Sequence, residues 1–236
     1  MNLKRVISNK QFIVTLMTIC YFSFANASFA QTFNYGVNIG VGSFNQKWEL
    51  PNWSDKYPGW NKEKIGMTFH IFGELEHGSH FGTKLELGYI RKGFTQDLSF
   101  EKPDGTIDYY EPRKANYNTI TIGISENIYL LKSKFNPYIK LGINTNVILN
   151  KDFKNSTLVI RDGTGSLLIV GDYPNSLDWN NITFNGILGL GVTFEQLLFV
   201  ELEYIPAITK LIDMKYIKIY DRCIGLTVGI NINQLF

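Results

Sequence analysis

From residue 33 onward, hydrophobic and polar residues alternate with a period of two in eight separate segments. This is the repeat of a strand whose successive side chains point to opposite faces. In the first segment Phe33, Tyr35, Val37, Ile39 and Val41 alternate with Asn34, Gly36, Asn38, Gly40 and Gly42. In the second, Ile65, Met67, Phe69 and Ile71 alternate with Gly66, Thr68, His70 and Phe72. The others cover residues 81–89, 119–130, 138–147, 182–193, 198–204 and 223–232. No helix-period stretch competes with them, so crossover helices are not expected and the predicted class is all-β.

The connections alternate in length. Those after the second, fourth and sixth segments are short (77–80, 131–136, 195–196), and those after the first, third, fifth and seventh are long (45–63, 95–114, 149–180, 206–219). Short turns on one rim and long loops on the other predict an eight-stranded antiparallel up-and-down transmembrane β-barrel, with turns and both termini in the periplasm and loops outside. Within the third loop, residues 158–161 and 166–170 flank Asp162-Gly163-Thr164-Gly165 as a hairpin too short to span a bilayer.

A period of two does not say which face meets lipid, because a soluble barrel turns its apolar face inward with the same period. Four features favour the membrane. The strands are about ten residues long, the length of a tilted bilayer crossing. The polar face carries Gly36, Gly40, Gly82, Gly88, Gly123, Gly142, Gly189 and Gly225, which suit a narrow interior. Rings gather near the ends of the apolar runs (Phe33, Tyr89, Tyr117, Tyr129, Phe194, Tyr204, Tyr220), as interfacial girdles do. The chain also ends its last alternating run on Phe236.

The N-terminus points to export. Lys4, Arg5 and Lys10 precede a short apolar core over 12–24, and Ser28-Phe29-Ala30 is a small-x-small cleavage site. Residues 1–30 therefore read as a signal peptide and 31–236 as the barrel domain; a cut after Ala27 satisfies the same rule. Cys20 follows Ile19, which does not suit lipid attachment. Removal of the leader leaves Cys223 alone, so no intramolecular disulfide is expected. With a formal charge of +2 and no Lys/Arg cluster, nucleic acid is not expected as a partner.

The Ala-Gln signal end, the opening Phe33-Asn34-Tyr35-Gly36-Val37-Asn38-Ile39-Gly40, the Gly-rich alternation and the closing run 226–236 resemble the PorT-like outer-membrane β-barrel family across the mature chain. The resemblance implies a barrel in the outer membrane, in contact with its lipid. It also implies recognition of the last strand, through Phe236, by the barrel-assembly machinery. For some members it implies a protein partner in a secretion apparatus.

If the polar face points inward, its charged members are Glu74, Lys84, Glu86, Lys140, Glu201 and Glu203, with His70 nearby. Buried charges persist when paired, so a salt-bridge network is expected and not a pore. Glu126 falls on the apolar face near the short-turn rim. Catalysis would need a nucleophile, base and orienting acid at one spot; His70 with Ser125 is the pair that can be drawn, and His77 and His80 read as turn residues. His77-x-x-His80 lacks further ligands and 162–165 lacks a calcium-loop run, so no metal and no cofactor are expected. Trp48, Trp53 and Trp60 in the first loop are candidates for contact with a sugar, a partner or the headgroup layer. The expected role is a non-enzymatic anchor presenting extracellular loops, with a narrow solute channel and a lipid-modifying enzyme as alternatives.

Overall fold

The computed structural model describes residues 30–49, 61–77, 79–96, 99–101, 107–109, 113–131, 133–154, 157–161, 167–172, 179–213 and 218–235. The proposed leader up to residue 29, Trp53, Trp60 and Phe236 lie outside them, as does the side chain of Trp48. Eight long strands build the protein: β1 (Ala30–Glu49), β2 (Lys64–His77), β3 (Phe81–Gln96), β4 (Arg113–Tyr129), β5 (Phe135–Lys154), β6 (Ile182–Phe194), β7 (Leu198–Pro206) and β8 (Lys218–Asn231). Each pairs antiparallel with its chain neighbour, and β1 pairs with β8 from Gly36↔Asn231 to Glu49↔Lys218, so the sheet closes on itself.

Closure leaves no strand edge, the condition for a sheet in hydrocarbon. The apolar face points outward: Ile39, Ile122 and Leu226 are 63%, 56% and 49% exposed, whereas Lys84, Lys140 and Glu201 are 1% exposed. That is the membrane arrangement of the alternation, not the soluble one.

The register fixes the stagger. One row of cross-strand partners starts at Phe81 and passes through Ile128, Ile139, Leu190, Leu202, Leu226, Val41 and Met67. It returns to β3 at Arg91, ten residues above its start. A ten-residue stagger over eight strands corresponds to a tilt of about 40°, within the range of outer-membrane barrels.

Strands run beyond the lengths expected from apolar alternation: β1 reaches Glu49, β3 Gln96 and β5 Lys154. An antiparallel ladder satisfies its own backbone with polar side chains attached, so it continues past the lipid, as in Lys114↔Lys154. Thr157–Arg161 and Leu167–Asp172 pair as a separate hairpin, and Ser99–Glu101 pairs with Ile107–Tyr109; neither joins the barrel.

Three expectations need correction. Tyr117 and Tyr129 face the lumen, because their hydroxyls donate to buried carboxylates, Asp221 at 2.7 Å and Glu74 at 2.7 Å. Exposed Phe33, Phe81, Phe135 and Phe194 are the outward rings at the short-turn end. The last strand stops at Asn231, and Ile232–Gln234 form a 3-10 turn. Their amides turn back to β1: Asn233 Nδ2 donates to Asn34 Oδ1 at 2.9 Å, and Gln234 Nε2 to the same oxygen at 3.1 Å.

The β6–β7 turn places Glu195 and Gln196 at φ 51° and 58°, a left-handed pair normally filled by Asn or Gly. Gln196→Gly relieves Cβ strain and is expected to stabilise the folded barrel by about 1 kcal/mol. The measurement is the urea midpoint of the purified protein in detergent; an unchanged or lower midpoint contradicts this account of the turn.

Candidate functional site

An eight-stranded barrel is just wide enough for side chains to fill, and here they fill it in layers. At the short-turn end lies an open vestibule of about 660 Å³ lined in part by Glu76, Tyr129, Lys134 and Glu195. Above it Glu74 accepts hydrogen bonds from Asn127 Nδ2 at 2.9 Å and Tyr129 at 2.7 Å. Glu74 is therefore held by neutral donors and stands apart from the ion pairs.

Five charged residues meet in the next layer. Lys140 Nζ lies 2.8 Å from Glu86, 3.1 Å from Glu201 and 2.6 Å from Glu203. Lys84 Nζ lies 2.9 Å from Glu201 and 3.3 Å from Glu86. Lys84 is also flanked by two rings, 4.5 Å from the centroid of Phe72 and 4.2 Å from that of Phe199, which themselves pack edge-to-face at 5.3 Å. Tyr138 donates to Glu201 at 2.7 Å, and Asn38 to Glu86 at 3.2 Å. His70 Nδ1 lies 2.9 Å from Asn38 Oδ1. Two cations thus hold three carboxylates, with hydrogen bonds taking up remaining lone pairs, the condition for keeping charge out of water.

Glycine makes room for these groups. Cross-strand partners share a face, and Gly191 stands opposite Tyr138 and Gly229 opposite Phe199. A Cβ on Gly191 would come within 2.2 Å of the Tyr138 ring, and one on Gly229 within 2.1 Å of Phe199. Each large ring lies flat over a residue without a side chain.

Beyond the charges is a cavity of about 30 Å³ bordered by His70, Glu86, Thr121 and Asn144, room for roughly one water. Phe44, Ile90 and Cys223 then form an apolar layer with Ile205 packed against it. A second polar layer follows: Lys92 Nζ is 3.3 Å from Asp221, which also accepts from Tyr117. At the loop end Phe94, Leu211, Ile212 and Ile219 are buried, and Trp179 stacks edge-on to Tyr117 at 6.0 Å with Lys151 4.8 Å from its ring.

The drawn pair of His70 and Ser125 does not form: His70 meets Asn38, and Ser125 Oγ has no hydrogen-bond partner. His77, the last residue of β2, lies on the lipid-facing wall with Nε2 2.9 Å from both Glu126 and Thr83, while Thr83 donates to Glu126 at 2.8 Å. Both partners use one ring nitrogen, so this is not an acid–base–nucleophile relay. It gives Glu126 two polar contacts near the membrane boundary. His80 contacts Ser79 at 2.8 Å. Among the described residues no group of three His, Cys, Asp or Glu could hold a metal ion.

Phe72 and Phe199 break the polar phase of their strands, which is the signal in the sequence for the rings around Lys84. Lys92, Asp221 and Trp179 lie beyond the apolar runs and carry no such signal.

The family model described as outer membrane protein beta-barrel domain matches residues 27–213. Among solved structures, the chain is similar to Ail, the attachment invasion locus protein of Yersinia pestis, in complex with the heparin analogue sucrose octasulfate. Identity is 13% over 84% of this chain and 99% of that one, with a TM-score of 0.37. Neisserial surface protein A is 11% identical over 83% and 96%, TM-score 0.37. The outer membrane enzyme PagL is 12% identical over 84% and 99%, TM-score 0.35. No curated protein sequence matches the chain.

Because Lys140 alone touches three carboxylates, Lys140→Met is expected to cost roughly 3–5 kcal/mol by leaving them with Lys84 as their sole cation. Equilibrium unfolding in urea measures it, and a cost under about 1 kcal/mol would show that the cluster is not a structural centre.

Proposed function

The chain belongs to the outer membrane protein beta-barrel domain family, and from that premise we propose that it is a non-enzymatic outer-membrane anchor that holds extracellular loops for interaction. The observation that carries this reading is the filled lumen. A solute crossing it would have to part the Lys84–Glu201 pair and the Phe72–Phe199 contact, then the apolar layer of Phe44, Ile90 and Cys223. The separation of His70 from Ser125, and the use of one His77 nitrogen by two partners, argue against the lipid-modifying alternative.

The same proposal includes export under a cleaved leader, residues 1–30, and assembly through the C-terminal strand. A PorT-like place within the family, with a protein partner in a secretion apparatus, is supported by the sequence likeness over residues 33–40 and 226–236. Trp48, which the structure places near the end of β1 and not in the loop, and Trp53 and Trp60, which follow it in the sequence, are the tryptophans proposed to meet such a partner.

Planar-bilayer recording tests the reading. The purified protein is expected to give no conductance steps at 100 mV of either sign, about 2.3 kcal/mol per elementary charge. A variant combining Phe72→Ala, Phe199→Ala, Phe44→Ala and Ile90→Ala is expected to conduct. Reproducible steps from the unaltered protein would overturn the anchor reading in favour of the channel.

A further inference from the structure

We propose that the outer wall of the barrel over β3, β4 and β5, at the loop end of the apolar band, binds the phosphate groups of the glycolipid that forms the outer leaflet of an outer membrane. The site is built by the inclined rows of the sheet. The row from Phe81 to Met67 is apolar at every strand until it arrives at Arg91. At a tilt of about 40°, the ten residues from Phe81 to Arg91 climb about 25 Å, the height of the apolar band of such barrels. Arg91 therefore stands where hydrocarbon gives way to headgroups.

The same row continues from Arg91 to Asn118 and Asn150, and the next pairs Asn116 with Asp152. Above them is Lys114. Lys64 reaches across from β2 to donate to Asn116 Oδ1. Three cations thus share one patch of wall with one acid, Asp152, and three asparagines whose amides can meet phosphate or sugar oxygens. Among the described residues, neither Arg91 nor Lys114 has an ion-pair partner. Lys64, Arg91 and Lys114 are near enough for their positive charges to repel one another, with Asp152 as the opposing charge. That crowding is what an anion in the headgroup layer would relieve.

The surplus of charge has a side. Across the barrel the corresponding rows carry Ile224 and Ser43, with Arg222 opposite Asn45 as the one cation directly above them; the next, Lys47, is paired with Glu49 at 2.9 Å. A uniform ring of basic residues would serve any anionic surface, whereas one patch flanked by Met67 and Ile65, both exposed, suits a single molecule with acyl chains below and phosphates above.

Native mass spectrometry of the full chain released from detergent micelles tests the proposal with three probes: bisphosphorylated lipid A, the same lipid with its phosphates removed, and phosphatidylglycerol. Retention of bisphosphorylated lipid A roughly tenfold above either of the others is expected. The triple variant Lys64→Gln, Arg91→Gln, Lys114→Gln should lose that preference while keeping the heat-dependent gel shift of a folded barrel. Should the triple variant not fold, Arg91→Gln alone should reduce the preference about threefold. Lys134→Gln, on the opposite rim, should leave it unchanged. Equal retention of the two forms of lipid A, equal retention of phosphatidylglycerol, or an unaltered preference in the Gln variants overturns the site. None of these outcomes bears on whether the lumen conducts.

Discussion

A backbone in hydrocarbon has no water to bond, so each amide and carbonyl must be satisfied by another segment of the same chain. For strands, closure meets this demand, and the pairing of β1 with β8 supplies it. The rest of the architecture follows. Closing eight strands with a ten-residue stagger sets the tilt, the tilt sets the narrow bore, and the bore leaves room for side chains but for little else. Outward positions become apolar because they meet lipid, and inward ones polar because a barrel of this width traps whatever faces in.

Trapped polarity has to be neutralised locally. The lumen does this with two lysines and three glutamates, with Tyr138 and Asn38 donating to the carboxylates and two phenylalanine faces held against Lys84. Rings and glycines alternate across strands, so large groups fit without spreading the wall. Nearer the loops, where strands leave the membrane, the interior turns apolar around Phe44 and Ile90. Polar inside and apolar outside thus holds for the membrane span and reverses in part above it.

Strand number and pairing order were legible in the alternation and in the loop lengths, and the outward direction of the apolar face in the strand lengths and the glycines of the polar phase, since each is a consequence of a pleated wall between lipid and a narrow lumen. The inward set of charged residues was legible for the same reason: Lys84, Lys140, Glu201 and their neighbours occupy the alternate phase. What the pattern could not supply was contact across the bore. Glu74 shares the phase of Glu86 yet meets Asn127 and Tyr129, because which side chains touch depends on stagger and not on period. Tyr117 and Tyr129 misled for a related reason: a ring near a strand end suits a girdle or a lumen equally, and the carboxylate that decides between them lies about 55 to 104 residues away.

The charged layer draws Lys84 and Glu86 from β3, Lys140 from β5, and Glu201 and Glu203 from β7. Lys84 and Glu201 are 117 positions apart, so their contact spans far more of the chain than any pairing of consecutive strands. A nascent sheet ending at β5 holds two lysines and one of the three glutamates, a charge imbalance of opposite sign to that of the finished cluster. Only when β7 docks does the layer become compact enough to sit away from water. The interior therefore acts as a record of completeness, one that an unfinished wall cannot counterfeit.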